Sequence, residues 1–405
     1  MKIFMLILGI ISILSLKAVE FTSGYYAIAY EINKATKSIR IIAETAYDPN
    51  TEEGDSVYTL YWNDKTNFQV QKSVPFTSIK PGTSGLVYLT AKEAQKVKKL
   101  QSFFTNRIEF SAIKTKNIGF RSSQLLDTLI YPLSKRKGEI VFNNQKIKFT
   151  APEKVTVFSK GTIDDIKLRE YQLRIFGKKI KNKFVITRVN IVTKPNTEKL
   201  NPALPNALII GDSISMNYES SLKLALDGKM NCQRIDGNSG DSNRGNSALQ
   251  LWLGDIPGQK SRWNVIVVNH GLHDLKQKYD SKNKKYNPRH QVEPEVYAKN
   301  IDRILKYLTS RNYKVVWCTT TPVPGNSYGT FARRKNEDLI YNKALEVILK
   351  KYPQVIVCDL NTLVRKSKVF DKWRTGNNVH FNQKLERKLL GDAVAAAILK
   401  AFVQK

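Results

Sequence analysis

Two patterns of apolar positions divide the chain. From residue 21 to about residue 192 they recur mostly at every second position. Runs at 25–30, 38–42, 57–62 and 85–90 read as half-buried strands. Residues 139–149 read as two strands around an Asn-Asn turn, and 154–159, 171–176 and 184–192 continue the series. One stretch, 91–104, has helical spacing instead, with Lys, Glu and Gln on its polar face. Short strands broken by turn residues predict a mostly-β accessory domain, sandwich or barrel, over residues 19–192. Residues 193–205 carry Pro195, Pro202 and Pro205, which forbid a regular helix and predict an extended linker.

After residue 206 the period changes. An apolar strand at 207–211 leads to a helix at 218–226, a short strand at 233–235 and a Gly-rich stretch at 237–245. A buried strand at 265–268 follows. Then come a helix at 295–310, a strand at 314–318, a helix at 333–350, a strand at 355–358 and a last helix at 383–402. Alternating strands and helices predict an α/β domain over 206–405, a parallel sheet with helices on both faces. Such sheets bind ligands at the carboxyl ends of their strands.

The polar residues of this half lie at those ends. The first strand runs into Gly211-Asp212-Ser213, a tight turn before a helix, where helix-start N–H groups lack intrahelical acceptors. Ser213 is therefore a candidate nucleophile. A serine hydroxyl needs a base, and His380, after the last strand and one of four His in the chain, is at the right edge. A tetrahedral intermediate also needs donors for its oxyanion. The Ser213 N–H, the Gly240 N–H and a side chain from the third loop, 269–274, are the candidates.

Gly211-Asp-Ser213, then Ser239-Gly-Asp-Ser242, then Gly271-Leu-His-Asp274, then Asn378-Val-His380 come in an order that resembles the SGNH (GDSL-type) hydrolase family. The resemblance covers about residues 206–402. It implies a flavodoxin-like, three-layer domain with Ser213 as nucleophile and His380 as base. It implies an oxyanion hole from Ser213 N–H, Gly240 N–H and an Asn side chain, with an Asp three residues before the His. Two positions depart from that pattern. His273 stands in place of the Asn, and a neutral imidazole N–H can fill that role. Asn377 stands in place of the Asp; either it orients His380, or a backbone carbonyl does, or a displaced acid such as Asp371 reaches in. Asp274 and Thr320 are candidate substrate contacts, against the plainer reading in which both satisfy backbone groups. His270 and His290 read as a polar loop residue and an exposed one, since no carboxylate–His set has metal spacing.

Composition narrows the setting. The chain has 405 residues, 41% of them hydrophobic, enough for two cored domains. Residues 1–18, Met1-Lys2 and an apolar run ending at Ala18, read as a secretory signal rather than a membrane span. Export to the periplasm or medium follows, with no stable span after cleavage. Cys232, Cys318 and Cys358 are too few and too scattered for a disulfide framework. The net charge of +31 suits an anionic partner, though a Lys-rich proteome explains it equally. No nucleic-acid motif is present. Residues 276–290, rich in Lys, follow the third strand and overhang the active edge. The chemistry calls for no metal or organic cofactor. Export plus a β-domain looks most like carbohydrate esterases that deacetylate polysaccharide, here an acidic one. A lipase, phospholipase or thioesterase is the alternative, and a catalytically weak glycan-binding relative is the rival from another class.

Overall fold

In a computed structural model the described residues are 25–404, except 45–56, 90–101, 106, 112–118, 123–124, 143, 169–171, 181–182, 193–199, 256–259 and 326–330. Residues 1–18, expected as a secretory signal, and most of the expected linker therefore lie outside the described residues.

The N-terminal region is mostly β and contains a small barrel. Strands Gln172–Ile180, Tyr25–Asn33, Ser38–Ala43, Val57–Tyr61 and Lys183–Val192 are neighbours in that order, and the last pairs back onto the first. Alternation along the strands fills the inside with Ala27, Ile39, Ile41, Leu60, Leu173, Ile175 and Val189. From Lys183–Val192 the sheet runs on through Asn67–Pro75 to a second apolar cluster around Phe76, Phe110, Leu126, Ile140 and Phe149. The expected hairpin is there as Lys137–Phe142 and Gln145–Thr150, with Asn144 in the left-handed region at φ 63°. The helix expected over 91–104 is not borne out where it is described. Ser102–Phe104 is a strand, paired in parallel with Lys148 to Thr150, and the rest of that stretch is outside the described residues. Aromatic Phe103 and Phe104 suit a strand better than a helix end.

The C-terminal region is a five-stranded parallel sheet covered by helices. Its strands are β1 (Asn206–Ile210), β2 (Asn231–Arg234), β3 (Val265–Val268), β4 (Lys314–Cys318) and β5 (Ile356–Cys358), in spatial order 2-1-3-4-5. That is the flavodoxin-like order, whose switch point lies between β1 and β3. Val265 to Val268 are all fully buried, as a strand covered on both faces requires. Five longer helices are α1 (Ser213–Ala225), α2 (Ser242–Leu253), α3 (Pro294–Ser310), α4 (Glu337–Leu349) and α5 (Lys384–Val403). Helix α1 packs on α5, while α3 lies between α2 and α4. Gly391 makes the first contact possible, because a Cβ there would stand 2.8 Å from the Leu222 backbone nitrogen.

Three local differences from the sequence pattern bear on the site. Helix α1 starts at Ser213 rather than 218, because Asp212 caps it by accepting the Ile214 N–H at 2.8 Å. Residues 242–253, unassigned beyond the Gly-rich run, form α2, capped by Asp241 accepting from Arg244 N–H. The helix expected at 333–350 begins at Glu337, after left-handed Asn336. Arg333 instead follows the short strand Phe331–Ala332, which pairs with Gln277–Asp280.

The two regions touch through the outer face of the barrel. Ile28, Tyr30 and Ile42, on the opposite strand face from the barrel core, pack on Leu251 of α2. Beside them Arg244 Nε donates to Glu44 at 2.8 Å.

Candidate active site

The site forms where β1 ends. Gly211 is needed for close approach, since a Cβ would sit 2.8 Å from that of Ser215. Ser215 in turn donates to the Asp212 carbonyl at 2.7 Å. These bonds set the turn that puts Ser213 at the first position of α1, where its N–H has no intrahelical acceptor.

The loop before α5 brings the base. Val379 and Phe381 are buried on either side of His380. Phe381 stacks on Trp373 at 4.7 Å between centroids, and its N–H donates to Asn217 of α1 at 3.1 Å. Two buried neighbours leave His380 facing the nucleophile, with Nε2 2.8 Å from Ser213 Oγ. The chain thus joins residues 167 positions apart.

The partner of the other ring nitrogen is Asn378, not Asn377. Asn378 Oδ1 lies 3.0 Å from His380 Nδ1 and accepts the His380 backbone N–H, also at 3.0 Å. The two-residue spacing explains the correction: a side-chain oxygen two residues back closes a local turn onto the N–H. The same bond settles the tautomer. A backbone N–H can only donate, so the atom facing it is the amide oxygen, and that oxygen takes a proton from Nδ1. Nε2 is then left with its lone pair toward Ser213. Asp371 does not reach the ring; it pairs with Arg374.

Among the described residues His380 has no carboxylate partner, and two cations act on it. Burial first, then Arg333 and Lys276, hold its pKa below 6.5. Lys276 Nζ lies 2.8 Å from His273 Nδ1. An ammonium only donates, so His273 accepts at Nδ1 and carries its proton on Nε2. Burial and the charges of Lys276 and Arg333 push the His273 pKa down to about 3, so it is a neutral N–H donor at ordinary pH. Burial, then Arg333, brings Lys276 down to about 8. Arg333 donates from Nε to the Leu272 carbonyl at 2.9 Å. Burial pushes Asp212 up to about 6, against its bond from Ile214 and the pull of both cations. Arg333 was missed in the sequence because its position read as helix, and Lys276 was seen only as one of a lysine-rich loop.

Other expected site residues are elsewhere engaged. The Gly240 N–H donates to Asn238 Oδ1 at 2.8 Å, so as it stands it is not offered to an oxyanion. The cause is another side-chain turn spanning two residues, with Gly240 left-handed at φ 68°. Asp274 is fully buried and does not face a substrate; its Oδ1 takes the N–H and hydroxyl of Ser242 at 2.9 and 2.5 Å, fixing the start of α2. Thr320 is buried too, donating to the His270 carbonyl at 2.9 Å. It packs against Gly271, where φ is 136° and any Cβ would overlap its hydroxyl. His270 is a buried residue held neutral, its pKa near 4 through burial. His290 is not exposed: it is half-buried between Glu293 and Glu337, which raise its pKa. Among the described residues no cluster of His, Cys, Asp or Glu could hold a metal ion, and no helix is long and apolar enough to cross a membrane.

The C-terminal half is thus an SGNH-like α/β domain with a serine–histidine pair at its switch point. No family model and no curated protein sequence matches the chain. Solved structures match about half of it. An acetyl xylan esterase shares 14% identity over 48% of this chain and 99% of its own, with a TM-score of 0.36. The C-terminal catalytic domain of peptidoglycan O-acetyltransferase A from Streptococcus pneumoniae, bearing a methylsulfonyl adduct, shares 21% over 49% and 94%, TM-score 0.32. A GDSL-like lipase from Bacteroides thetaiotaomicron shares 14% over 48% and 88%, TM-score 0.35. The likeness to these esterases and acetyltransferases is one of fold.

Proposed function

We propose that the protein is an exported serine ester hydrolase that removes acetyl groups from a polysaccharide. The observation that supports it is the 2.8 Å contact of Ser213 Oγ with His380 Nε2, whose other nitrogen is held by an amide oxygen. In this reading Ser213 Oγ attacks the ester carbonyl and its proton passes to His380 Nε2. The carbonyl oxygen gains charge against the Ser213 N–H and His273 Nε2–H. The sugar oxygen leaves with the proton from His380, and the acetyl group stays on Ser213. Water then enters through the same base, releasing acetate and restoring the serine. The Gly240 N–H can add a third donor only by leaving Asn238.

Acetate release from a panel of acetylated glycans, by the whole protein and by Ser213→Ala, tests the reading. Release by the wild type and at least 10³-fold less by the variant is expected. Equal background rates in both would sink the enzyme, leaving the glycan-binding alternative that the uncharged Asn378 favours. Cleavage of long-chain esters with no acetate from any glycan would reject the carbohydrate substrate.

A further inference from the structure

Two cations are anchored on adjacent residues of the loop after β3, and among the described residues neither bonds a carboxylate. Strand Gln277–Asp280 pairs antiparallel with Phe331–Ala332, with Gln277 against Ala332. Lys276 and Arg333 flank that pair at the same end, and they bond adjacent residues of the third loop, Lys276 to His273 and Arg333 to Leu272. Like charges anchored on neighbouring residues repel. Arg333 is itself lowered by burial, against the pull of Asp212, and its charge is the main force after burial that pulls the buried Lys276 down. Asp212, Asp241 and Asp274 pull the other way. None of the three hydrogen-bonds Lys276 or Arg333 among the described residues. Asp212 Oδ1 is committed to Ile214, and Asp274 Oδ1 to Ser242.

Donors remain on both. Lys276 uses one N–H on His273 Nδ1, and Arg333 uses Nε on Leu272. Two ammonium protons and the terminal amino groups of the guanidinium are left, with no acceptor among the described residues. Their bonds fix both on the loop after β3, the strand that pairs with β1 and so lies beside the turn of Ser213, and both charges act on His380. Chain and strand hold them there at a cost in repulsion, which an anion between them would offset.

The geometry points to an anion subsite at Lys276 and Arg333 that takes a carboxylate of the substrate, so that the acetylated unit is a uronic acid residue. This rests on the ester-hydrolase reading and gives it a substrate class. The guanidinium supplies a planar fork for the carboxylate, and Lys276 a point charge.

The test pairs a methyl 3-O-acetyl-glucuronoside with the corresponding 3-O-acetyl-glucoside, which differ in the carboxylate alone. The whole protein should favour the acid by about tenfold or more in kcat/KM. Arg333→Gln should bring the two within about twofold, and Arg333→Lys should restore part of the preference. Binding of the two glycosides to Ser213→Ala, by calorimetry, reads the same subsite without chemistry. Hydrolysis of both at equal kcat/KM overturns the subsite and leaves the esterase standing. No hydrolysis of either, with tighter binding of the uronoside, overturns the esterase and keeps the subsite. No hydrolysis and equal binding overturns both.

Discussion

The weakest element of the site is the residue behind the base, and replacing it gives a quantitative test. Asn378→Asp is isosteric, and its carboxylate can keep both bonds of Oδ1, to His380 Nδ1 and to the His380 backbone N–H, each now 3.0 Å. What changes is charge. A hydrogen bond to a charged partner contributes about 1.5–3 kcal/mol against about 0.5–1.5 for a neutral one. The difference of about 1 kcal/mol belongs chiefly to the imidazolium, which forms in the transition state. Asn378 is exposed to solvent, so screening holds the gain to the low end. At 1.36 kcal/mol per tenfold, kcat should rise about fivefold. The same carboxylate should raise the acid limb of kcat/KM by somewhat under one pH unit, because His380 now starts below 6.5 under burial and two cations. Asn378→Ala should do the opposite to the rate: Nδ1 loses its acceptor, the ring samples the wrong tautomer, and kcat falls about 10- to 100-fold. Rates of acetate release from a small acetyl ester between pH 4.5 and 9 measure both. An acid limb unmoved in the Asp variant, with kcat within twofold of wild type in both variants, would refute the role given to Asn378.

Other predictions concern neighbours of the site. Lys276→Met should remove the group that fixes the His273 tautomer, lowering kcat more than it raises KM; an effect on KM alone would argue against that role. Asp274 should make stability fall with rising pH. Its folded pKa is up near 7, chiefly through burial, so between the unfolded carboxylate value and about 7 the native state binds the extra proton. Stability is therefore full below about pH 4 and lost as pH rises through 7. Urea unfolding of Asp274→Asn at pH 5 and pH 7.5 should show a smaller loss between the two than wild type does. Phe381→Ala should cost about 3–5 kcal/mol by leaving a cavity beside Trp373, and should also lower kcat, because Phe381 anchors the His380 loop. Gly391→Val should destabilise by about 1–3 kcal/mol in the same unfolding assay by forcing α1 off α5.

The sheet and its edge were legible because their signals are local. Val265 to Val268 can only be a strand buried on both faces, and Gly211-Asp-Ser213 is a turn whose side chains write its geometry. Ser213 and His380 could be paired from position alone, since every loop after a parallel strand opens on one edge. What escaped is what depends on contacts distant in sequence or on one residue of register. Asn377 and Asn378 are adjacent and identical, and only the backbone N–H of His380 decides which amide reaches the ring. Gly240 has the right residue type at the right loop, yet Asn238 has its N–H. Arg333 lay inside a run with plausible helical spacing; the left-handed turn at Asn336 takes it out of α4, and its side chain reaches Leu272, next to the His273 that Lys276 holds. Asp274 and Thr320 sit at strand ends as binding residues do, but their side chains turn inward to Ser242 and His270. Burial, which no local pattern displays, separates the two cases.

The missing acid and the two cations belong to one electrostatic problem. His380 must accept a proton in the transition state, and Arg333 and Lys276 both oppose that. Asn378 contributes no charge to offset them. In the free protein the base is therefore weak, and the acid limb of kcat/KM, which reports the free enzyme, should lie below the ordinary imidazole value. A substrate carboxylate seated between Lys276 and Arg333 would change this. It neutralises much of the field that lowers His380 and adds a negative charge to the same neighbourhood. The acid limb of kcat, which reports the enzyme with substrate bound, should then lie above that of kcat/KM for the uronoside. For the neutral glucoside the two limbs should coincide. The substrate would supply the charge that the residue behind the histidine lacks, and a neutral ester would be a poorer substrate in kcat as well as in KM. Coincident limbs for the uronoside, measured together with a tenfold preference for it, would show that the carboxylate binds without assisting the base, and the source of the imidazolium's stabilisation would have to be sought in the protein alone.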